Sequence, residues 1–459
     1  MKKYILLSLS LTAIVATAPA SGLPSPSDQT QASYTLQQLK DSALAAGFAM
    51  SNARLELDAA REQRREAFTS YFPSVSATGL HFQANREMAR MDIDPQEFIT
   101  PELGATLAQM LPAEALAALA SPMSVAMMKR GTLAGITALQ PIFTGGQIVL
   151  GNKLARIGEE AAALQIQLTE NDVTANVEQY YWQCVSMDQK ARTLDAVDEM
   201  LASIERDASA AVKAGVALRN DLLQVRLRQD EVQSQRLKLQ GGRTLVKLLL
   251  RHACGLRDTC FTLTYDTIAT HADAIPRRDH DAALLATPEY QLLEKNVEAA
   301  RLQRRIEVGK RLPSVALGAG YNYHDLLGND RHFGMLYATV SVPITDWWGG
   351  SHAIRRKRIA EQQARQQLDD NAAMLRIRMD KAWNDVAEAQ AQLQLAANSE
   401  GQARENLRIH RDTYRAGTTT MSDLLQAQLL YQQACDRQTD AFITLQNALL
   451  AYRQATAQQ

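Results

Sequence analysis

The chain contains two related halves, and this internal repeat constrains its architecture more than any single motif does. The segment Ala214 to Gln224 carries Ala-Gly and then Asp-Leu-Leu-Gln, and Ala416 to Gln426 carries the same letters in the same places. Upstream, the Pro-Ser-Val of residues 73–75 returns at 313–315. A long repeat in two copies predicts a duplicated structural unit rather than a solenoid of short repeats.

Each half also predicts very long helices. No proline occurs between Pro141 and Pro276, and none occurs after Pro343. Because proline inside a helix costs about 3 kcal/mol, stretches without it permit long helices. The segment from Gly146 to Lys213 predicts a helix on the order of 100 Å long at about 1.5 Å per residue. Helices of this length must lie against other helices, as in coiled coils.

Short alternating segments precede the long helices. In the second half, large apolar residues alternate with small or polar ones over residues 314–323 and 333–344, and residues 73–83 and 132–142 do so less cleanly. This period of two indicates strands. Segments of about 10 residues with one apolar face fit a transmembrane β-barrel. Trp347 and Trp348 follow the last strand, where they fit a membrane-interface girdle; burial under a loop is the alternative.

Four strands cannot close a barrel, and open sheet edges are not stable in lipid. If the strands span a membrane, several chains must therefore combine them, and a trimer supplies twelve. The predicted fold is an α+β membrane protein with an internal two-fold sequence repeat, in which each chain gives four strands to a trimeric 12-stranded β-barrel.

The N-terminus predicts export. Lys2 and Lys3 precede an apolar run that ends before a small-residue site at Ala18 to Ala20, which is the pattern of a secretory signal peptide. We expect a signal peptide at 1–20, a linker at 21–33, a first repeat at 34–260, a connecting segment at 261–285 and a second repeat at 286–459. The first repeat has a β-hairpin at 73–143 with an external loop at 86–130 and a helix tip at 215; the second has a hairpin at 313–345 and a tip at 417.

Several functions are disfavoured by the residues. The formal net charge is -1 and no basic patch interleaved with aromatic residues is visible, so no nucleic-acid partner is expected. No catalytic motif, metal-ligand spacing or phosphate-binding loop occurs, so we expect no enzyme, no metal and no cofactor. Cys254 and Cys260 bracket a short segment after a long helix, and in an oxidising compartment they form a disulfide or remain unpaired.

Taken in order, these features resemble the TolC-like outer membrane efflux protein family. They are the Pro-Ser-Val strand entries, the turn at Pro141 to Gln147 with its counterpart at Pro343 to His352, and the two Ala-Gly and Asp-Leu-Leu-Gln segments. The resemblance implies a homotrimer in the Gram-negative outer membrane, whose barrel continues as a long periplasmic α-helical barrel. It implies a passive exit duct of a tripartite efflux or type I secretion system. Its partners would be outer membrane lipid, a periplasmic adaptor and an inner-membrane pump of RND, ABC or MFS type.

The resemblance also assigns roles to individual residues. Gly215 and Gly417 would lie at helix tips that contact the adaptor, although a glycine that ends a helix with positive φ explains them equally. Asp423, Asp221 and Tyr414 match positions of a periplasmic gate, and Gln426 stands where a second acidic ring can occur. For the two aspartates, helix capping is the alternative.

Rival interpretations remain at this point. A periplasmic adaptor and a helical scaffold without a channel also have long helical hairpins, and an enzyme is the weakest alternative. The repeat and the tryptophan pair favour the duct. On the fold that the resemblance implies, the proline-containing insertion at 86–130 would face the outside of the cell and cover or constrict the outer mouth.

Overall fold

The computed structural model describes residues 32–86, 89–119, 121–127, 130–256, 261–265, 276–325, 330–344 and 346–457. The expected signal peptide lies outside these residues. The helices are α1 (Leu36–Ala46), α2 (Phe48–Thr69), α3 (Pro101–Met110), α4 (Ala113–Leu119), α5 (Gln147–Lys213), α6 (Arg219–Cys254), α7 (His280–Ala286), α8 (Pro288–Gly309), α9 (Asp346–Arg415) and α10 (Met421–Ala455), with a 3-10 turn at Pro95–Glu97. The strands are β1 (Ala32–Tyr34), β2 (Ser74–Gln83), β3 (Ala89–Ile93), β4 (Met123–Met127), β5 (Arg130–Thr144), β6 (Phe261–Leu263), β7 (Ser314–Asp325) and β8 (Asp330–Ser341).

Two very long helices dominate the molecule. Helix α5 has 67 residues and α9 has 70, which corresponds to about 100 Å each. Neither helix contains a proline, so no backbone hydrogen bond is lost within them. Helix α5 packs on α2, α6 and α8, and α9 packs on α8 and α10. We call α5–α6 the first hairpin and α9–α10 the second hairpin.

The main sheet has four antiparallel strands in the order β2-β5-β7-β8. Strand β5 contains Pro141 at a register shift between Pro141 and Phe143, a position where the missing amide hydrogen breaks no regular ladder. The last strand ends at Ser341, before the predicted end at Ile344. Pro343 explains this difference because it has no amide hydrogen to donate to a continuing ladder.

The insertion at 86–130 is more ordered than a simple loop. Strands β3 and β4 pair antiparallel from Ala89 with Met127 to Ile93 with Met123. Between them lie α3 and α4, and Thr100 caps α3 by accepting from the backbone amide of Leu103 at 3.4 Å. Several apolar side chains in this segment are exposed. The insertion therefore extends the β2–β5 hairpin with a small structured unit.

A second, two-stranded sheet joins the two halves of the chain. Strand β1 pairs in parallel with β6, from Ala32 with Phe261 to Tyr34 with Leu263. The end of the expected 21–33 linker and the start of the expected connecting segment are thus hydrogen-bonded to each other. Tyr181 of α5 donates from its hydroxyl to the carbonyl oxygen of Thr264 at 2.9 Å and holds this sheet against the long helix.

Apolar clusters lie along the helices. One cluster surrounds Tyr181 on α5, and another surrounds Trp383 on α9. Trp182 connects them, with its ring 5.2 Å from that of Tyr181 and 5.6 Å from that of Phe442. A third cluster near the hairpin tips contains Leu201 of α5 and residues of α6, α9 and α10. The two hairpins are therefore packed together in the middle of the molecule and close to their tips.

A buried ion cluster joins the middle region. Glu178 of α5 is only 2% exposed and bonds the ammonium of Lys40 on α1. Its other oxygen accepts from Nη2 of Arg453, near the end of α10, at 2.8 Å. Removing one partner of a buried ion pair costs about 3–5 kcal/mol, because the remaining charge is left uncompensated. Glu178 thus ties the N-terminal and C-terminal helices to the first hairpin.

Candidate functional site

The four-stranded sheet has two chemically different faces. The pairing places Val75, Ala138, Ala319 and Leu336 in one row across all four strands. The next row on this face contains Ala77, Ile136, Tyr321 and Gly334. Large members of this face are strongly exposed, and Leu336 is 87% exposed. An extended apolar sheet face in contact with water is unusual, and we call it the apolar face.

The opposite face carries mostly small or polar residues. Its rows include Ser76, Thr137, Gly320 and Met335, and Thr78, Gly135, Asn322 and Phe333. Gly318 is required where the ring of Tyr337 lies across β7, because an added Cβ would come within 2.1 Å of that ring. The outer strands β2 and β8 each pair on one side only among the described residues. The sheet therefore presents one apolar face, one polar face and two open edges.

Aromatic residues lie where the sheet meets the helices. The backbone of Trp347 and Trp348 belongs to the first turn of α9, and their side chains lie outside the described part of the chain, so the predicted girdle stays a prediction. An aromatic group that sequence reasoning missed lies at the end of α2. The ring of Phe68 is 5.6 Å from those of both Tyr71 and Phe72. From the sequence, this segment was interpreted only as the start of a strand, although it has three aromatic residues within five positions.

The two helix tips have the same backbone geometry. Gly215 and Gly417 have φ values of 76° and 75°, in the left-handed region that favours glycine. The amide of Val216 donates to Ala211 O at 3.0 Å, and the amide of Thr418 donates to Thr413 O at 3.0 Å. These bonds close the helix ends in Schellman motifs. The predicted positive φ is confirmed at both glycines, and their contact with an adaptor stays a prediction.

Both aspartates of the predicted gate cap the helix that follows a tip, and their gate role stays a prediction. Asp221 Oδ2 accepts from the backbone amide of Leu218 at 3.3 Å. Asp423 Oδ2 accepts from the amide of Thr420 at 3.3 Å and from its hydroxyl at 2.6 Å. The Thr420 hydroxyl lowers the pKa of Asp423 most, and the Thr420 backbone and the Thr419 hydroxyl lower it further. Each aspartate is the third helical residue of a capping arrangement rather than the N-cap itself.

Tyr414 lies half-buried near the tips. It belongs to the tip cluster and lines a cavity of about 280 Å³ between α5 and α9. Burial raises the pKa of its hydroxyl, and the nearby carboxylates of Asp221 and Asp207 raise it further. The structure thus brings Tyr414 and Asp221 near each other, and no described hydrogen bond joins them. Gln426 is exposed in a groove between α6 and α10.

A buried polar link between α6 and α10 was missed by sequence reasoning. Arg228 of α6 is 8% exposed, and its Nε donates to Gln428 Oε1 of α10 at 3.0 Å. Its Nη2 donates to Gln432 Oε1 at 2.7 Å. The nearest carboxylate, Glu231 on its own helix, accepts at 2.8 Å and is 53% exposed. Arg228 is one of several arginines on α6, and only the four-residue spacing of the two glutamines on α10 hinted at a shared partner.

Burial raises the pKa of each cysteine thiol in the described part of the chain. Cys254 is buried, and burial raises the pKa of its thiol to about 12. Its predicted partner Cys260 lies outside the described residues, so the disulfide stays a prediction. Burial likewise raises the pKa of Cys184 to about 12. Among the described residues no group of three or more side chains is arranged to hold a metal ion.

None of the described helices is both long and apolar enough to cross a membrane. The structure combines two long helical hairpins, tight glycine-containing turns at their tips and a sheet with one apolar face. Together they are the features that the predicted resemblance expects. Comparison with known proteins finds one family model that matches part of the chain. Residues 281–458 match the model of the outer membrane efflux protein family, as the predicted resemblance expects.

Solved structures agree with this assignment at the level of the fold. The outer membrane protein VceC from Vibrio cholerae superposes with a TM-score of 0.69 at 15% identity, covering 92% of this chain and 95% of VceC. The CmeC outer membrane channel of Campylobacter jejuni gives 0.70 at 15% identity, covering 98% and 94%. CusC gives 0.75 at 14% identity, covering 96% and 98%. A comparison with curated protein sequences finds no significant match.

Proposed function

We propose that this chain is the exit duct of a tripartite efflux or type I secretion system in the Gram-negative outer membrane. Three copies would form a 12-stranded β-barrel that continues as a periplasmic α-helical barrel. The observation that carries this proposal is the sheet, with its apolar face and its two open edges above long helices. The duct would be passive, and an adaptor and an inner-membrane pump of RND, ABC or MFS type would open it.

The edges of the sheet support the trimer. Strands β2 and β8 each carry a row of backbone groups without a partner strand in this chain. Such groups cost several kcal/mol each in lipid, so only a closed arrangement is stable there. Pairing β2 of one copy with β8 of the next closes the ring. Three copies reach a strand number at which a barrel encloses an open channel rather than a packed core.

The composition of the two sheet faces supports an assignment of one face to the lipid and the other to the lumen. An outward apolar face fits the lipid, and an inward face with serine, threonine, glycine and asparagine fits a water-filled lumen. The helices that follow are less apolar, with many charged and polar residues left exposed. This distribution suits a wall that water contacts on both sides.

The tips would form the closed periplasmic entrance. Asp221, Tyr414, Asp423 and Gln426 would line it, and Arg228 would fasten the two hairpins of one copy to each other. Gly215 and Gly417 would expose backbone to the hairpins of the adaptor, because no side chain covers them. Opening would require the second hairpin to move away from the first, which breaks the bonds of Arg228.

Two measurements test the proposal. Light scattering of the protein purified in detergent should give the mass of three chains, and planar bilayers should show stepwise conductance. A stable monomer without conductance would refute the duct. Cysteines introduced beside Gly215 and Gly417, followed by mass spectrometry of crosslinked proteins, would identify the adaptor. The rival function as an adaptor is not favoured, since the comparisons point to channels.

A further inference from the structure

A basic groove lies between α2 and α5, directly below the strands. Its walls carry five cations, Arg61, Arg64, Arg65, Lys153 and Arg156, and one carboxylate, Glu159. The groove is open and has a volume of about 700 Å³. Its upper end is formed by Phe68, Tyr71 and Val149. Cations next to aromatic and aliphatic side chains are the surface that a molecule with an anionic head and an apolar tail requires.

The groove has a fixed height relative to the sheet. Arg64 lies five residues before the end of α2, and Lys153 lies six residues after the start of α5. At about 1.5 Å per residue, both residues lie roughly 8–9 Å from the helix end that is next to the strands. The headgroup layer of a bilayer adds roughly 5–8 Å to each side of the hydrocarbon core. Long basic side chains extend several ångströms, so they reach that layer from this position.

The cations of the groove remain available to a ligand. Arg64 Nη1 donates to Glu159 Oε2 at 2.7 Å, and Arg156 Nε is 3.4 Å from Glu160. Both arginine side chains are more than half exposed. Exposed pairs of this kind contribute about 0–1 kcal/mol, so an incoming phosphate can replace a carboxylate. Lys153 makes no ion pair with any described residue.

The same arrangement occurs below the other two strands. Residues 61–65 and 301–305 both read Arg-x-Gln-Arg-Arg, and Lys153 and Arg156 correspond to Arg355 and Arg358. Arg304 Nε donates to Glu361 Oε2 at 2.6 Å, as Arg64 does to Glu159. There, however, the side chain of Glu361 is only 8% exposed, whereas that of Glu159 is 23% exposed. Cations thus lie below all four strands, and the carboxylate beside them is more exposed in the α2–α5 groove.

We propose that the α2–α5 groove binds the phosphate of an anionic phospholipid headgroup from the periplasmic leaflet. This proposal rests on the proposed function, because that function places the strands in the outer membrane. Arg64, Lys153 and Arg156 contact the phosphate, and Phe68 and Tyr71 contact the start of the acyl chains. A cationic belt at this height fixes the depth of the barrel in the membrane, since moving the chain along the membrane normal would separate the cations from the headgroups.

The test uses the full chain in a neutral detergent, without a bilayer. Phosphatidylglycerol, phosphatidylcholine and inorganic phosphate are titrated separately, and bound species are counted by native mass spectrometry. The variant combines Arg64→Gln, Lys153→Gln and Arg156→Gln. The control combines Arg376→Gln, Arg378→Gln and Lys381→Gln, which removes the same three charges from exposed positions on α9. Circular dichroism checks that each protein keeps its helices.

We expect phosphatidylglycerol to bind the unaltered protein and the control alike, and phosphatidylcholine to bind both more weakly. Each cation near an anionic headgroup contributes about fivefold in affinity, so the groove variant should bind about 100-fold more weakly. Equal binding by the groove variant and the control overturns the proposal. Binding of inorganic phosphate as tight as that of phosphatidylglycerol overturns the lipid as ligand. Conductance is measured separately, so a protein that binds lipid but forms no channel refutes the duct and leaves the groove supported.

Discussion

Arg228 and Gln432 lie 204 residues apart in the sequence, and the Arg228 guanidinium donates to Gln432 Oε1 at 2.7 Å. The bond is buried and joins the first hairpin to the second. Gln432 in turn donates through Nε2 to Gln235 Oε1 at 2.7 Å, so the contact returns to α6. Two donor nitrogens of this buried arginine bond to amide oxygens across the hairpins, and its carboxylate partner Glu231 lies on its own helix and is half exposed. Separation of the hairpins would therefore allow water to reach the guanidinium.

The first prediction concerns this contact. Arg228→Gln removes the two hydrogen bonds that this charged side chain donates across the hairpins. Each is worth about 1.5–3 kcal/mol, so the substitution should shift the tips toward the separated state by at least about tenfold. Mean conductance in planar bilayers should rise. Arg226→Gln is the matched control, because Arg226 donates to Glu205 at 2.9 Å within the first hairpin. Equal conductance for the two variants would show that Arg228 does not hold the entrance closed.

The second prediction concerns the gate pair. Asp221→Ala combined with Tyr414→Phe should raise single-channel conductance, because it removes a helix cap and a hydroxyl available to the neighbouring hairpin. Asp412→Ala serves as the control, since Asp412 accepts from Arg408 of its own helix at 3.0 Å. Unchanged conductance in the double variant would place the gate elsewhere.

The third prediction concerns pH at the tip of the second hairpin. The pKa of Asp423 is lowered in the folded chain by the Thr420 hydroxyl first. The ionised Asp423 carboxylate therefore contributes its full stabilisation of the folded chain above the ordinary aspartate pKa of about 3.9. This contribution is lost as the pH falls through the lowered pKa. Asp423→Ala should speed amide exchange in the first turn of α10 at neutral pH, after correction for the chemical rate.

The difference in corrected amide exchange rate between Asp423→Ala and the unaltered chain should become smaller at about pH 3. At that pH, protonation of Asp423 removes part of the cap in the unaltered chain. Ser422→Ala is the control because Ser422 is exposed in the same turn and belongs to no described hydrogen bond. A difference between Asp423→Ala and the unaltered chain that stays constant with pH would exclude the carboxylate as its source.

The fourth prediction separates the faces of the sheet. Leu336→Arg places a cation on the apolar face and should cost about 2–4 kcal/mol if that residue lies near the bilayer midplane. Recovery in the outer membrane fraction should fall. Thr339→Arg, three residues away on the opposite face, should be recovered like the unaltered chain. A similar fall in recovery for both variants would contradict the assignment of the Thr339 face to the lumen.

The fifth prediction concerns the insertion. Deletion of residues 88–128 leaves the pairing of β2 with β5 intact, since that register ends at Gln83 with Arg130. If the insertion constricts the outer mouth, the deletion raises single-channel conductance. The deletion variant must first be shown to keep its oligomeric mass. Conductance equal to that of the full chain would assign the insertion another role.

The sequence was sufficient for features that depend on local periodicity and backbone chemistry. The alternation at Val315 to Tyr323 predicts a strand, and Gly215 and Gly417 predict tight helix ends, because each signal lies in neighbouring residues. The 67-residue helix follows from the absence of proline in the same way. The structured insertion was not foreseen, because its short helices and strands have no strong period of their own.

The contacts between distant residues could not be predicted. Arg228 and Arg226 look equivalent in the sequence, and only the packing of α10 on α6 buries one of them. The basic groove is likewise divided between α2 and α5, whose cations lie about 90 positions apart. Each helix alone has a mixed charge pattern. The surplus of positive charge appears only when the two helices lie side by side.

The unpaired strands β2 and β8 have a genetic consequence. In the proposed assembly every subunit must accept a neighbour on both sides, so one defective subunit leaves the whole ring unsealed. With equal synthesis of intact and defective chains, about one ring in eight would contain intact chains alone. A substitution that leaves folding intact but prevents β2 or β8 from pairing with the neighbouring subunit should therefore be dominant over the wild-type allele in a merodiploid cell.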